Sequence, residues 1–249
     1  MLVAFIVTDM VFLAAGLIVF FFFHHTELKS LFEQNFEANP PTWWASSQLL
    51  LIAIALSLLV FKPFSEHPSL RRLRPGLIGA AILYAYFSLD EDGTIHERLS
   101  LWYFHRYGTR HWYIPHLHGL PLWPFAWALV IALGIGALIY LPRLWRYWPR
   151  QTVVVVLGFI VFFVGAFVFE QAVDILHIHS ATVIGVETGV EETMENVGST
   201  MILYAVLTVL LRVAYDLFPR KVKFMESDAP GVASSFLEPA GGSPLGPEG

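Results

Sequence analysis

Long apolar runs separated by short polar segments dominate the pattern of this chain. Six runs are each long enough to cross a bilayer as a helix, which takes about 20 residues. They cover residues of about 2–23, 43–61, 76–95, 121–141, 152–173 and 196–217. The pattern therefore predicts an all-α integral membrane bundle of six transmembrane helices, which form one domain over residues 1–226.

Composition supports a membrane protein. Hydrophobic residues make up 56% of the chain and charged residues 14%, whereas about a quarter of the residues in a soluble domain are charged. The net charge of -5 gives no indication of nucleic-acid binding. The chain has no cysteine, which excludes thiolate ligands and thiol nucleophiles.

Lys and Arg predict the orientation, because they concentrate in cytoplasmic segments. Most of the 15 basic residues fall in three segments, 62–75, 142–151 and 212–223. Six spans with both termini in the cytoplasm put all three segments on that side. We therefore expect a multi-pass membrane protein, with membrane lipids around it.

Two segments are not spans. Residues 98–120 alternate aromatic, basic and apolar side chains, which favours a segment in the headgroup layer; the alternative is a lid that admits substrate from the bilayer. Residues 227–249 are rich in Gly, Pro, Ser and Ala. Such a composition cannot bury enough apolar surface to fold, so we expect a flexible cytoplasmic tail.

Carboxylates and histidines gather where three of the runs end on the predicted outer side. Helix rise is about 1.5 Å per residue, and counting from the inner ends brings acids of the third, fifth and sixth runs to one depth. Charged side chains at that depth usually face the bundle interior and pair. The residues expected to ligate a metal are Glu91, Asp92, His96, Glu170, Asp174, His177, Glu192 and Glu195.

The spacing of these residues agrees with a shared site. Each helix offers ligands on one face: Asp92 and His96 are four residues apart, and Asp174 and His177 have the acid-x-x-His spacing of di-iron carboxylate bundles. Carboxylate and imidazole ligands suit a divalent ion of iron, zinc or manganese, and eight ligands could hold two ions. Glu191 or Glu97 is the candidate proton acceptor. The alternative is that the acids are merely solvated polar helix ends, with Glu191 at a helix N-terminus.

The stretch from Ser88 to Leu99, Ser-Leu-Asp-Glu-Asp-Gly-Thr-Ile-His-Glu-Arg-Leu, resembles a motif of uncharacterised polytopic membrane proteins of bacteria, as does the later Glu-Glu-Thr-Met-Glu of 191–195. This resemblance implies a multi-pass protein of the bacterial inner membrane and no activity. The chain is more distantly similar to the alkaline ceramidase-like membrane hydrolases, which place Ser, Asp and His around zinc. Those proteins have seven spans and a His-x-x-x-His pair, whereas this chain has six runs and His177-x-His179.

Three function classes follow. The first is a metal-dependent enzyme on a lipid-like substrate, an oxidoreductase with iron or a hydrolase with zinc. The second is a non-catalytic accessory subunit of a larger membrane complex, with other subunits as partners. The third, a metal transporter, ranks last because the inner halves of the third, fifth and sixth runs are apolar.

Three residues inside the apolar runs carry separate expectations. Asp9 lies towards the inner end of the first run, where we expect it to pair with a basic residue or to reach the membrane interface. Gly134 and Gly136 of the fourth run are expected to permit close helix packing.

Overall fold

The computed structural model describes residues 2–22, 39–61, 64, 67–95, 98–99, 102, 105–106, 124–169 and 180–217. These residues contain seven α-helices and one π-helical turn. The helices are α1 (Leu2–Phe22), α2 (Pro40–Val60), α3 (Pro68–Arg71), α4 (Arg74–Gly93), α5 (Pro124–Tyr147), α6 (Pro149–Phe163) and α7 (Ala181–Leu217), and the π turn is Val164–Phe169. The prediction of an all-α chain is confirmed for this part of the sequence.

Four of the helices are long and apolar enough to cross a membrane. They are α1, α2, α6 with the start of the π turn, and α7. The length and composition of these helices indicate a membrane protein. The number of six spans and the orientation of the termini stay predictions.

Local sequence signals explain where several helices begin. The side chain of Asn39 accepts a hydrogen bond from the backbone N–H of Thr42 at 2.9 Å, and Pro40 occupies the first position of α2. Proline is favoured there because the first helical N–H has no intrahelical partner. Pro75 and Pro149 have the same role in α4 and α6.

Helix α7 is much longer than the apolar run that predicts it. The run begins near residue 196, whereas the helix begins at Ala181 and spans 37 residues. No proline interrupts residues 181–195, so the helix continues through the acidic stretch. Glu191 therefore lies inside the helix and not at its N-terminus, which corrects the alternative that it only complements the helix dipole.

Helix α7 is also the centre of the bundle, since it packs against α1, α2, α6 and the π turn. Helix α2 packs on its other side against α4. Ile52 and Leu203 are almost completely buried at the centre of the apolar core, at 0% and 1% exposure. Burial of large apolar side chains on several helices holds the core together.

The described parts of the basic segments lie near one another at one end of the bundle, which we call the basic end. Nε2 of His67 lies 3.9 Å from Oδ2 of Asp216, so the segment before α3 approaches the end of α7. Leu70, Leu73 and Trp148 join the same apolar cluster as the last turns of α7. The opposite end, which contains the last turn of α4 and residues 187–195 of α7, is called the acidic end.

Glycines allow α6 and α7 to approach closely. A Cβ atom at Gly198 would lie 2.7 Å from the backbone oxygen of Gly158 and 2.7 Å from the backbone nitrogen of Phe162. Gly134 and Gly136 were expected to act in this way, but no atom of the described residues lies within 4 Å of a Cβ at either position. Within the described residues, the close glycine contact therefore lies between α6 and α7 and does not involve Gly134 or Gly136.

We expect Gly198→Ala to lower the unfolding temperature of the purified protein, because the new methyl group would overlap backbone atoms that cannot move away alone. Overpacking of this kind costs about 1–3 kcal/mol. Gly134→Ala is the matched control, and it should leave stability unchanged or raise it, since alanine favours helix by up to about 1 kcal/mol. Thermal unfolding in detergent measures both, and equal effects of the two variants would contradict the packing.

Candidate functional site

Carboxylates from two helices approach one another at the acidic end. Glu91, in the last turn of α4, and Glu191 are close enough to Glu192 for their charges to interact with it. All three side chains are partly buried. Since Glu91 belongs to α4 and the other two to α7, the fold brings like charges together from distant parts of the chain.

The π turn adds a third chain segment to the acidic end. A Cβ atom at Gly165 would lie 2.9 Å from the backbone oxygen of Glu191 and 3.3 Å from Cγ of Glu195. The missing side chain at Gly165 thus lets the π turn contact the acidic part of α7. π-Helical turns inside helices often occur at functional sites, and this one ends immediately before Glu170.

The chain leaves α4 through a strained turn. Thr94 has a left-handed backbone, φ 46° and ψ 41°, which is unfavourable for a β-branched residue by on the order of 1–3 kcal/mol. Its N–H donates to the backbone oxygen of Asp90 at 2.7 Å, and its Oγ1 accepts from Nε of Arg98 at 3.1 Å. These two hydrogen bonds stabilise the turn that follows Asp90, Glu91 and Asp92 and precedes His96 in the sequence.

Half of the predicted ligands fall in the described part of the chain. Glu91, Glu192 and Glu195 lie at the acidic end, while Asp92 is exposed in the last turn of α4. The other four predicted ligands and the alternative base Glu97 lie outside the described residues; the four are His96, Glu170, Asp174 and His177. Within the described residues, no group of three His, Asp or Glu side chains is placed to hold a metal ion.

A second polar cluster lies in the apolar interior, and we call it the Asp9 cluster: Asp9, Trp44, Gln48 and Thr200. Oδ1 of Asp9 accepts hydrogen bonds from Nε1 of Trp44 at 2.6 Å and from Nε2 of Gln48 at 3.0 Å. Oγ1 of Thr200 lies 3.1 Å from Oδ2 of Asp9 and 3.0 Å from Oε1 of Gln48. The cluster joins α1, α2 and α7.

The expectation for Asp9 is therefore wrong. Its carboxyl group is 2% exposed, and its hydrogen-bond partners are uncharged side chains of α2 and α7. A basic residue cannot reach it easily because the basic segments lie at helix ends. The sequence did contain a signal, since Gln48 is a strongly polar side chain inside an apolar run, and polar side chains there usually pair with one another.

Further polar contacts lie between the two clusters. Oγ of Ser88 donates to the backbone oxygen of Ser46 at 2.9 Å, and Oγ of Ser46 lies 2.8 Å from the backbone oxygen of Ser88. Along α7, Asn196 is also buried. Glu192 is about 12 Å from Thr200 along the helix axis, so polar groups occur at intervals from the acidic end to the middle of the bundle.

Comparison with known proteins places the chain in a family. A family model described as a domain of unknown function (DUF8692) matches residues 4–211. The chain belongs to that family. No curated protein and no solved structure matches it. The matched range contains both the Asp9 cluster and the carboxylates of the acidic end. The family's description assigns no activity.

We expect Glu192→Gln to raise the unfolding temperature of chelator-treated protein at alkaline pH, because there it removes an ionised and largely buried carboxylate that lies close to Glu91 and Glu191. Asp216→Asn, at the basic end, is the matched control and should have no such effect. Thermal unfolding in detergent tests the pair, and a loss of stability in Glu192→Gln would count against close carboxylates.

Proposed function

We propose that the acidic end binds a divalent metal ion and that the protein is a metal-dependent enzyme acting on a lipid-like substrate. The observation that carries the proposal is the approach of Glu91 to Glu191 and Glu192. Like charges held together at the end of apolar helices are unfavourable by themselves. A bound cation would offset that repulsion, and carboxylates are ligands for hard divalent ions.

The other ligands in the proposal come from segments adjacent in sequence. The strained turn at Thr94 leads to His96, and the π turn leads to Glu170, Asp174 and His177. Imidazole beside carboxylate favours iron, zinc or manganese over calcium or magnesium. Such an ion would supply Lewis-acid or redox chemistry, and Glu191 or Glu97 would accept a proton.

The proposed position of the site at the membrane surface indicates which class of substrate could reach it. In the six-span arrangement with both termini in the cytoplasm, the acidic end faces the periplasm at the rim of the inner membrane. Trp102, which is 60% exposed, belongs to the segment proposed to lie in the headgroup layer. A lipid-like molecule could reach the carboxylates from the bilayer there without leaving its apolar environment.

The test is the metal content of protein purified in detergent without added metal. We expect wild type to contain at least one iron, zinc or manganese ion per chain. Glu192→Gln and His177→Ala should each weaken metal binding by more than about tenfold, since removal of even an indirect partner of a metal ligand costs 10–100-fold. Wild type and variants should all fold, as judged by size-exclusion chromatography.

Asp216→Asn is the matched control, because it removes a carboxylate from α7 at the opposite end of the bundle. It should retain the wild-type metal content. Folded wild-type protein that holds no metal, and takes up none when iron, zinc or manganese is added, would overturn the proposal. If such protein also copurified with other membrane subunits, the accessory role would take its place.

A further inference from the structure

If Asp9 is an ionised carboxylate, the Asp9 cluster has fewer hydrogen atoms than its hydrogen-bond contacts require. The hydroxyl group of Thr200 has one hydrogen, yet it lies within hydrogen-bond distance of two acceptors, Oδ2 of Asp9 and Oε1 of Gln48. If Asp9 is ionised, one of these contacts is an approach of two oxygen atoms with no hydrogen between them. In an apolar interior, such an unpaired contact is costly.

One additional proton resolves the arrangement. With a proton on Oδ2, Asp9 donates to Oγ1 of Thr200, Thr200 donates to Oε1 of Gln48, and Nε2 of Gln48 donates to Oδ1 of Asp9. The hydrogen bonds then form a closed ring across α1, α2 and α7, and Nε1 of Trp44 donates to the ring at Oδ1. All the acceptors in the ring are paired.

The orientation of the Gln48 amide does not change this result. If its oxygen and nitrogen are exchanged, Nε2 donates to Thr200 and Oε1 faces Oδ1 of Asp9 at the same distance of 3.0 Å. Two acceptors then face one another, so Asp9 must again carry a proton, in this case on Oδ1; the short hydrogen bond from Nε1 of Trp44 to Oδ1 favours the first orientation, with the proton on Oδ2. Both orientations therefore need one proton more than an ionised carboxylate allows.

The charged groups around the cluster also favour a neutral acid. Asp9 is the one titratable residue of α1, and α2 has none. On α7, the nearest titratable residues to Thr200 are Glu195 and Tyr204, and the first cation is Arg212, about 18 Å away along the helix. An ionised Asp9 would thus have no cationic partner on the described helices that pack against it, and membrane carboxylates without one are strongly disfavoured.

We propose that Asp9 is a proton-binding site in the membrane interior, where it holds a proton on Oδ2 at neutral pH and closes a hydrogen-bonded ring between α1, α2 and α7. The site is separate from the acidic end and does not depend on the proposed metal function. Its ligand is the proton alone. Loss of that proton would break the ring and free α1 from its main polar contact with its neighbours.

Infrared spectroscopy of the full chain in detergent at neutral pH tests the proposal directly. We expect the difference spectrum of wild type minus Asp9→Asn to show the C=O stretch of a protonated carboxylic acid, shifted when the sample is exchanged into D₂O. Asparagine fits the ring, since its NH₂ group can donate to Thr200 and its oxygen can accept from Gln48. The variant should therefore fold and keep the metal content of wild type.

Asp216→Asn is the control, because Asp216 is an exposed carboxylate whose removal should leave that acid band in place. A difference spectrum with the bands of an ionised carboxylate, and no acid C=O stretch, would overturn the proposal.

If Asp9→Asn does not fold, Thr200→Val carries the same test. Valine keeps the shape of threonine but removes the acceptor of the Asp9 proton. The acid band should then move to higher frequency because its hydrogen bond is lost. An unchanged spectrum in the acid C=O region would contradict the ring.

Discussion

The structure depends on one constraint: a polar side chain inside an apolar bundle must find its partner on another helix, because neither lipid nor apolar core offers one. Helix α1 shows the effect most clearly. It buries Asp9, Gly16 and Val19, and leaves most of its other side chains partly or fully exposed. Apolar contacts such as Phe5 with Trp44 also join it to the bundle, and the hydrogen bonds of Asp9 fix its position against α2 and α7.

The same constraint has opposite consequences at the two polar clusters. In the Asp9 cluster the groups are complementary, so they stabilise the contact between three helices. At the acidic end, Glu91 and Glu191 have the same charge sign as Glu192, so their charges act unfavourably on its carboxyl group. Proteins tolerate such local cost at functional sites. The left-handed backbone of Thr94 and the π turn at Gly165 add irregular structure at the same end of the bundle.

The sequence was sufficient for the coarse fold and for the approach of acidic residues from two helices. Apolar run length predicts the helices, because crossing a bilayer requires a fixed number of apolar residues. It does not predict where α7 begins, since a helix can continue beyond the apolar region as long as no proline stops it.

Depth counting correctly brings Glu91 and the acids of α7 to one end. It could not identify the partners of Asp9, because helix rise gives the height of a residue but not the direction in which its side chain points. The glycine contact between α6 and α7 could not be predicted for the same reason: Gly158, Gly198 and Gly134 look alike in sequence, and only the neighbouring helix distinguishes them.

A double-mutant cycle between Gln48 and Thr200 tests most directly whether hydrogen bonds in the interior hold α1, α2 and α7 together. The free energy of unfolding in detergent would be measured for wild type, Gln48→Leu, Thr200→Val and the double variant. We expect the two substitutions to be coupled by about 0.5–3 kcal/mol, with the double variant less destabilised than the sum of the single ones, because either change alone breaks the ring. Additive effects, within about 0.3 kcal/mol, would show that the two side chains do not act together and would contradict the central role of the Asp9 cluster.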